Sequence, residues 1–354
     1  MSDTPTADPE SLAKRMGDFS PRLSPMLVKE LRQGMRTNMF AVAFILLHTF
    51  MMLCLLTAMS DPGSSDSEAF FWFVIVVVLL FVQPLRGFSA LSSEYQLNTM
   101  DLIHMTRLNG WRITLGKWTA LNAQGLLFLT GVLPYLVIRY FLGNVNFIVD
   151  LIALIMIGIG SALATAITIG CSAFPNILLR GAACIALAIL LSALGDSVSR
   201  ELLSSSAPGA LEWQGLGVIA LIGVFGCYYF LAFGASRISP LSENHATRKR
   251  LAALLTVALC FGLSALQYDA DIIPAVVSII LCIATVDALT EPLPVFTRVL
   301  QPFSKNIITR WLGLFLTPGW ISGLFFFLLS TAILVALFFF WEAARGNPLE
   351  LKEL

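Results

Sequence analysis

The segment Gly110–Lys117, GWRITLGK, holds two glycines and a lysine, the residue types from which a phosphate-binding loop is made. Such a loop needs four residues between its glycines, so that backbone N–H groups converge on phosphate, and a Ser or Thr after the lysine to hold Mg²⁺. Here five residues separate the glycines and Trp118 follows the lysine, so the segment is rejected as a nucleotide site. The three histidines, His48, His104 and His245, are scattered, and no Cys or His pair has metal-ligand spacing. All six cysteines lie in apolar runs, where they read as small core residues. No nucleophile stands beside a base. The chain carries no catalytic constellation, no metal site and no cofactor site, and any ATP and Mg it depends on must be handled by another chain.

Charge inside the apolar runs is sparse. Asp287 falls near the end of one run, and Arg139 and Asp150 near the ends of two others. A proton-coupled carrier places acids at mid-depth. Their scarcity argues against a secondary carrier or a membrane-embedded enzyme.

Hydrophobic residues make up 57% of the 354 and charged residues 12%. Soluble domains carry about 25% charged residues. The apolar residues come in continuous blocks, which excludes a barrel and predicts helices that cross a bilayer. The expected spans are Met39–Met59, Ala69–Leu85, Trp118–Leu142, Phe147–Phe174, Leu178–Leu194, Leu216–Ala235, Leu251–Leu266, Ile272–Ala288 and Gly319–Trp341. The fold class is an all-α polytopic membrane protein with about nine transmembrane helices. The seventh and eighth are short enough to form a re-entrant pair instead. Trp311–Leu316 reads as a lead-in turn to the last span. Residues 1–24 read as a disordered cytoplasmic tail with no cleavable leader.

With the N-terminus inside, 18 of the 22 Lys and Arg residues fall on the cytoplasmic side, as the positive-inside rule requires. The outer loops carry Asp61, Asp66, Glu68, Asp269 and Asp271. The zero net charge leaves no basic excess for nucleic acid.

Three cytoplasmic stretches then stand out. Pro25–Thr37, PMLVKELRQGMRT, places Leu27, Leu31 and Met35 at helical spacing, with Lys29, Arg32 and Arg36 on other faces. This predicts an amphipathic helix in the membrane interface; an ordinary cationic flank would have the same composition. Arg86–Lys117 is the longest inner loop. Ser92 and Ser93 can cap a helix carrying Glu94, Leu108–Asn109–Gly110 supplies a turn, and Trp111–Lys117 leads into the third span. Arg237–Arg250 ends on ENHATRKR, where Arg248, Lys249 and Arg250 suit anionic headgroups at roughly 1 kcal/mol each. A simple topology anchor would read the same way. In the fourth span Gly158, Ser161, Ala162 and Thr165 form a small-residue face suited to close helix packing.

The order of these pieces resembles the permease subunit of type 2 ABC exporters. Ser24–Phe40, SPMLVKELRQGMRTNMF, looks like the elbow helix of the bacterial branch that opens with an NPxLVKELRQ-type sequence. Glu94, Thr99, Asp101, Leu102, Thr106, Leu108, Ile113, Gly116 and Lys117 match that family's coupling-loop pattern. Asn98, Arg107 and Asn109 stand where the pattern has Gly, Pro and Ser. Arg107 and Arg112 add charge to the same loop. The resemblance runs from Ser24 to about Ala235, a six-helix type 2 ABC exporter-like core plus about three C-terminal spans outside the family pattern.

The resemblance implies that Glu94–Lys117 touches a separate ATP-binding-cassette ATPase subunit. It also implies a second permease copy or paralogue, and a place in a bacterial inner membrane among its lipids. The expected units are residues 1–24, the core 25–236, the segment 237–310 with its basic loop and two spans, and the last span and tail 311–354. A non-transporting scaffold or assembly protein would keep the same architecture.

Overall fold

A computed structural model describes residues 25–60, 65–92, 109–142, 146–174, 213–239, 243–265, 272–291 and 306–344, with isolated positions between 176 and 185 and at 293 and 303. The described chain is helical, with no strand among its described residues. In chain order the helices are α1 (Pro25–Met35), α2 (Asn38–Ser60) and α3, which runs as Ser65–Val76, a π-helical turn Val77–Val82, and Gln83–Leu85. They continue as α4 (Gly110–Leu142), α5 (Phe147–Cys171), α6 (Trp213–Ile238), α7 (Ala246–Ala265), α8 (Ile272–Leu289), α9 (Ile307–Leu316) and α10 (Trp320–Ala344).

Among the described residues, five helices are long and apolar enough to cross a membrane: Asn38–Ser60, Glu68–Leu85, Gly110–Leu142, Phe147–Cys171 and Trp320–Phe339. Their outer surfaces expose large apolar side chains such as Ile45, Phe73, Leu126, Ile155 and Leu328, as lipid-facing helices do. The chain is a multi-pass membrane protein. The stretch expected as the fifth span, Leu178–Leu194, lies mostly outside the described residues. Trp311–Leu316 is not a turn. It belongs to α9, a ten-residue helix closed at its start by a capping box between Asn306 and Thr309.

Side-chain chemistry explains the irregular places. Pro84 has no N–H, and its ring would collide with the carbonyl four residues back, so the ladder of α3 widens into the π turn just before it. The Ser161 hydroxyl donates to the Leu79 carbonyl in that turn at 2.7 Å. The small-residue face of α5 therefore does pack closely. The Trp118 indole N–H donates to the Ala162 carbonyl at 2.9 Å, and a side chain at Gly158 would meet Leu129 at 2.9 Å.

Among the described residues four apolar clusters hold the bundle, and two of them are large. Leu47, Met51, Phe71, Ile75, Phe128, Val132 and Leu154 close the first, from α2 to α5. Phe225, Tyr229, Val257, Val277, Leu281, Phe326 and Leu337 close the second, shared by α6, α7, α8 and α10. The last helices thus pack on α6, and α8 and α10 share a core across the 310/311 boundary. The backbones of α5 and α6 meet at Gly170, where a Cβ would stand 2.4 Å from the Phe230 carbonyl oxygen. Gly170→Val is therefore expected to lower stability by about 1–3 kcal/mol through overpacking. Thermal unfolding in detergent checks this; an unchanged midpoint would mean that α5 and α6 separate freely.

Candidate functional site

The contacts that tie the loops together gather at one rim of the bundle, called here the near rim. It holds the C-terminal ends of α3, α5, α6 and α8 and the N-terminal ends of α2, α4, α7 and α10. The far rim holds Arg139 at 3.5 Å from Glu68, with its guanidinium 4.4 Å from the Phe71 ring, and Asp150 in the first turn of α5.

At the near rim α1 begins with Pro25, whose fixed φ and missing N–H suit a first helical position. Leu31 is buried and Leu27 half-buried, while Lys29, Arg32 and Arg36 are exposed, as the spacing predicts. Met35 departs from that face and is 44% exposed. The buried face of α1 turns toward protein, chiefly α4. Glu30 lies 3.0 Å from the Lys117 ammonium, and Lys117 is 6% exposed. Gly34 fits against the Gln124 amide, with no room for a Cβ, and its carbonyl accepts from the Arg86 guanidinium at 2.9 Å. Burial lowers Arg86 to about 10, so it stays charged near neutral pH. Arg86 also donates to Gln83 at 3.2 Å, and Gln83 donates to the Leu121 carbonyl of α4 at 2.5 Å. These bonds join α1, the end of α3 and the first turns of α4 into one polar network.

Glu94, Thr99, Asp101 and Arg107 lie outside the described residues, as does His104. The two footings of that segment are described. On the entry side, the Leu91 N–H donates to the Ser172 hydroxyl at 3.0 Å, and Arg180 donates to the Ser92 hydroxyl at 2.9 Å. Ser92 also donates to the Ser89 carbonyl, and the helix that Ser92 and Ser93 are expected to cap lies outside the described residues. On the exit side, Gly110 is the first residue of α4, and Leu108 of the turn expected before it lies outside the described residues. Gly110 fits against α6, where a Cβ would stand 2.2 Å from Ser239 and 2.8 Å from the Ala235 carbonyl. Arg112 is exposed in the first turn of the helix, and Gly116 and Lys117 sit in its second turn.

The basic loop requires a correction. Of its three adjacent cations, Arg248 alone is exposed. Lys249 and Arg250 are 1% and 2% exposed, because charge in the interior persists only when paired. Lys249 lies 2.5 Å from Asp287 and 2.9 Å from Glu291. Arg250 lies 2.9 Å from Glu291 and also donates to the carbonyls of Phe315 and Thr317, each at 2.9 Å. It reaches the Ser322 hydroxyl at 2.9 Å as well. The Tyr229 hydroxyl donates to Asp287 at 3.1 Å, which brings α6 into the same cluster. Two cations and two carboxylates balance inside the protein, so neither Lys249 nor Arg250 faces headgroups.

No protein-family model, curated protein or solved structure matches this chain. The site is therefore read from its geometry. His48 of α2 bonds the Tyr135 hydroxyl of α4 at 3.1 Å. Among the described residues, no three His, Cys, Asp or Glu side chains gather as a metal would need. A segment of chain stands on two fixed footings, and one of them continues directly into a 33-residue helix braced by α1.

Proposed function

We propose that this chain is the membrane permease subunit of an ABC-type export complex, with ATP hydrolysed by a separate subunit. Glu94–Lys117 is the segment that the partner grips, and α4 is the lever that carries its displacement across the bilayer. The observation that supports this is the buried Glu30–Lys117 pair, which fixes the elbow helix to the second turn of α4. A push on the loop would then move α1 and α4 as one body rather than bending the chain at the membrane surface. On this reading the near rim is cytoplasmic, the chain crosses a bacterial inner membrane about nine times, counted as runs of about 20 residues, and two permease copies or paralogues flank the pathway. The substrate class is left open.

The charged cluster of α7 and α8 favours this over a secondary carrier. Lys249 and Arg250 stand in the first turn of α7 and Asp287 in the last turn of α8, so the charges sit at helix ends and are mutually paired. A carrier's coupling acids lie at mid-depth.

Capture of the chain from native membranes tests the proposal. An ATP-binding-cassette protein should accompany it, and Glu94→Lys should weaken that association at equal expression, since a reversed charge at a contact repels as well as failing to pair. Absence of any such ATPase would leave the scaffold reading in its place. For orientation, a variant with its native cysteines replaced is expected to label at Ser64→Cys from outside and at Arg248→Cys from inside. Labelling of both from one side would overturn the topology.

A further inference from the structure

α9 and α10 meet at the corner Thr317–Pro318–Gly319. Gly319 adopts φ 126°, a conformation open to glycine and strained for other residues. The corner leaves a crevice of about 360 Å³ between the two helices, within the range of small-molecule pockets. Leu293, Phe303, Leu314, Ile321 and Phe325 line it, and Arg310 stands at its edge. Arg310 is exposed and, among the described residues, no carboxylate pairs with it. From Pro292 to Trp341 the sequence has no Asp or Glu, while it has Arg298, Lys305 and Arg310. Trp311 is 67% exposed and Ile307 76% exposed, the mark of a helix that rests in the interface with an aromatic at headgroup level.

We propose that this crevice is a binding site for an anionic phospholipid, with an acyl chain along Leu314, Ile321 and Phe325 and the phosphate against Arg310. The two halves of the site select together. The apolar walls disfavour a free phosphate as the occupant, and a cation that no described carboxylate pairs with prefers an anionic headgroup to a zwitterionic one. Lys249 and Arg250 face inward, so the lipid-facing cation of this corner is Arg310. It does not depend on the transport reading, because it concerns the isolated chain.

The test is native mass spectrometry of the full-length protein, released from micelles containing equal amounts of phosphatidylglycerol and phosphatidylcholine. The wild type should retain phosphatidylglycerol preferentially. Arg310→Gln should reduce that preference by about fivefold, which corresponds to the roughly 1 kcal/mol that a cation contributes beside an anionic lipid. Leu314→Trp should lower retention of both lipids by filling the crevice. Lys29→Gln, an exposed cation on α1, should leave retention unchanged. Equal retention of the two lipids by the wild type would overturn the proposal. So would an Arg310→Gln protein, shown folded by circular dichroism, that keeps the full preference. Retention undiminished in Leu314→Trp would remove the acyl chain from the crevice.

Discussion

Arg250→Ala is expected to lower the stability of the folded chain by about 3–5 kcal/mol, the cost of removing one member of a buried charged pair. The guanidinium does more than neutralise Glu291. It donates to backbone carbonyls at the end of α9 and at the corner before α10, where helix ends leave carbonyls short of intrahelical partners. Its loss would leave Glu291 with Lys249 alone and would take one donor from each of these carbonyls. The size of the effect sets it apart from that of its neighbour. Arg248→Ala, at an exposed position on the same turn, should change stability by no more than about 0.5 kcal/mol. Thermal unfolding of both variants in the same detergent makes the comparison. Equal, small losses would mean that water or detergent already satisfies those carbonyls and that the cluster does not fasten α7 to α9 and α10.

Lys117→Met carries the second large effect, and it has both a structural and a functional arm. Lys117 is buried against Glu30, so its removal leaves a carboxylate that is 16% exposed with its cation gone. A double-mutant cycle with Glu30→Gln should give a coupling energy of about 1–3 kcal/mol, the range for contacting residues. The functional arm follows from the proposed lever. With α1 no longer fixed to the second turn of α4, ATPase stimulation by the permease should fall even where the partner still binds. Glu30→Gln alone should act in the same direction. A stable Lys117→Met protein that stimulates its ATPase fully would show that α1 is not part of the lever.

Much of the fold was legible because apolar runs in lipid-facing helices are long and uninterrupted. α2, α4, α5 and α10 stand close to where hydropathy alone puts them. The inward turn of Leu27 and Leu31 and the outward turn of Lys29, Arg32 and Arg36 follow from the 3.6-residue period. The small face of α5 was also readable, because Gly158, Ser161, Ala162 and Thr165 recur at helical spacing.

What was not legible depended on partners distant in sequence. ENHATRKR looks like a solvated basic run until Asp287 and Glu291, 38 and 41 residues on, are seen to meet Lys249 and Arg250. Nothing local marks those acids as partners. Gly110 reads as a turn residue, yet its missing side chain serves the approach of α4 to Ser239 of a later segment. The bracing of α1 was hidden for the same reason. Glu30 and Lys117 are 87 residues apart, and each alone looks like an ordinary charge at a membrane surface.

The balanced cluster also bears on how the chain is made. Synthesis runs from the N-terminus, so α7 exists with both its buried cations before any of their carboxylates has been translated. The acids arrive with α8 and the residues after it, and the hydroxyl of Ser322 follows Arg250 by 72 residues. Until then each cation must stay hydrated at the membrane surface, since uncompensated charge is costly in hydrocarbon. The near end of α7 therefore remains unsettled while most of the molecule is already in place, and the start of α10 supplies the last of its partners. A chain that stops short of Phe315 would be left with Arg250 lacking most of its acceptors, a defect that membrane proteases and chaperones can detect before the protein is finished.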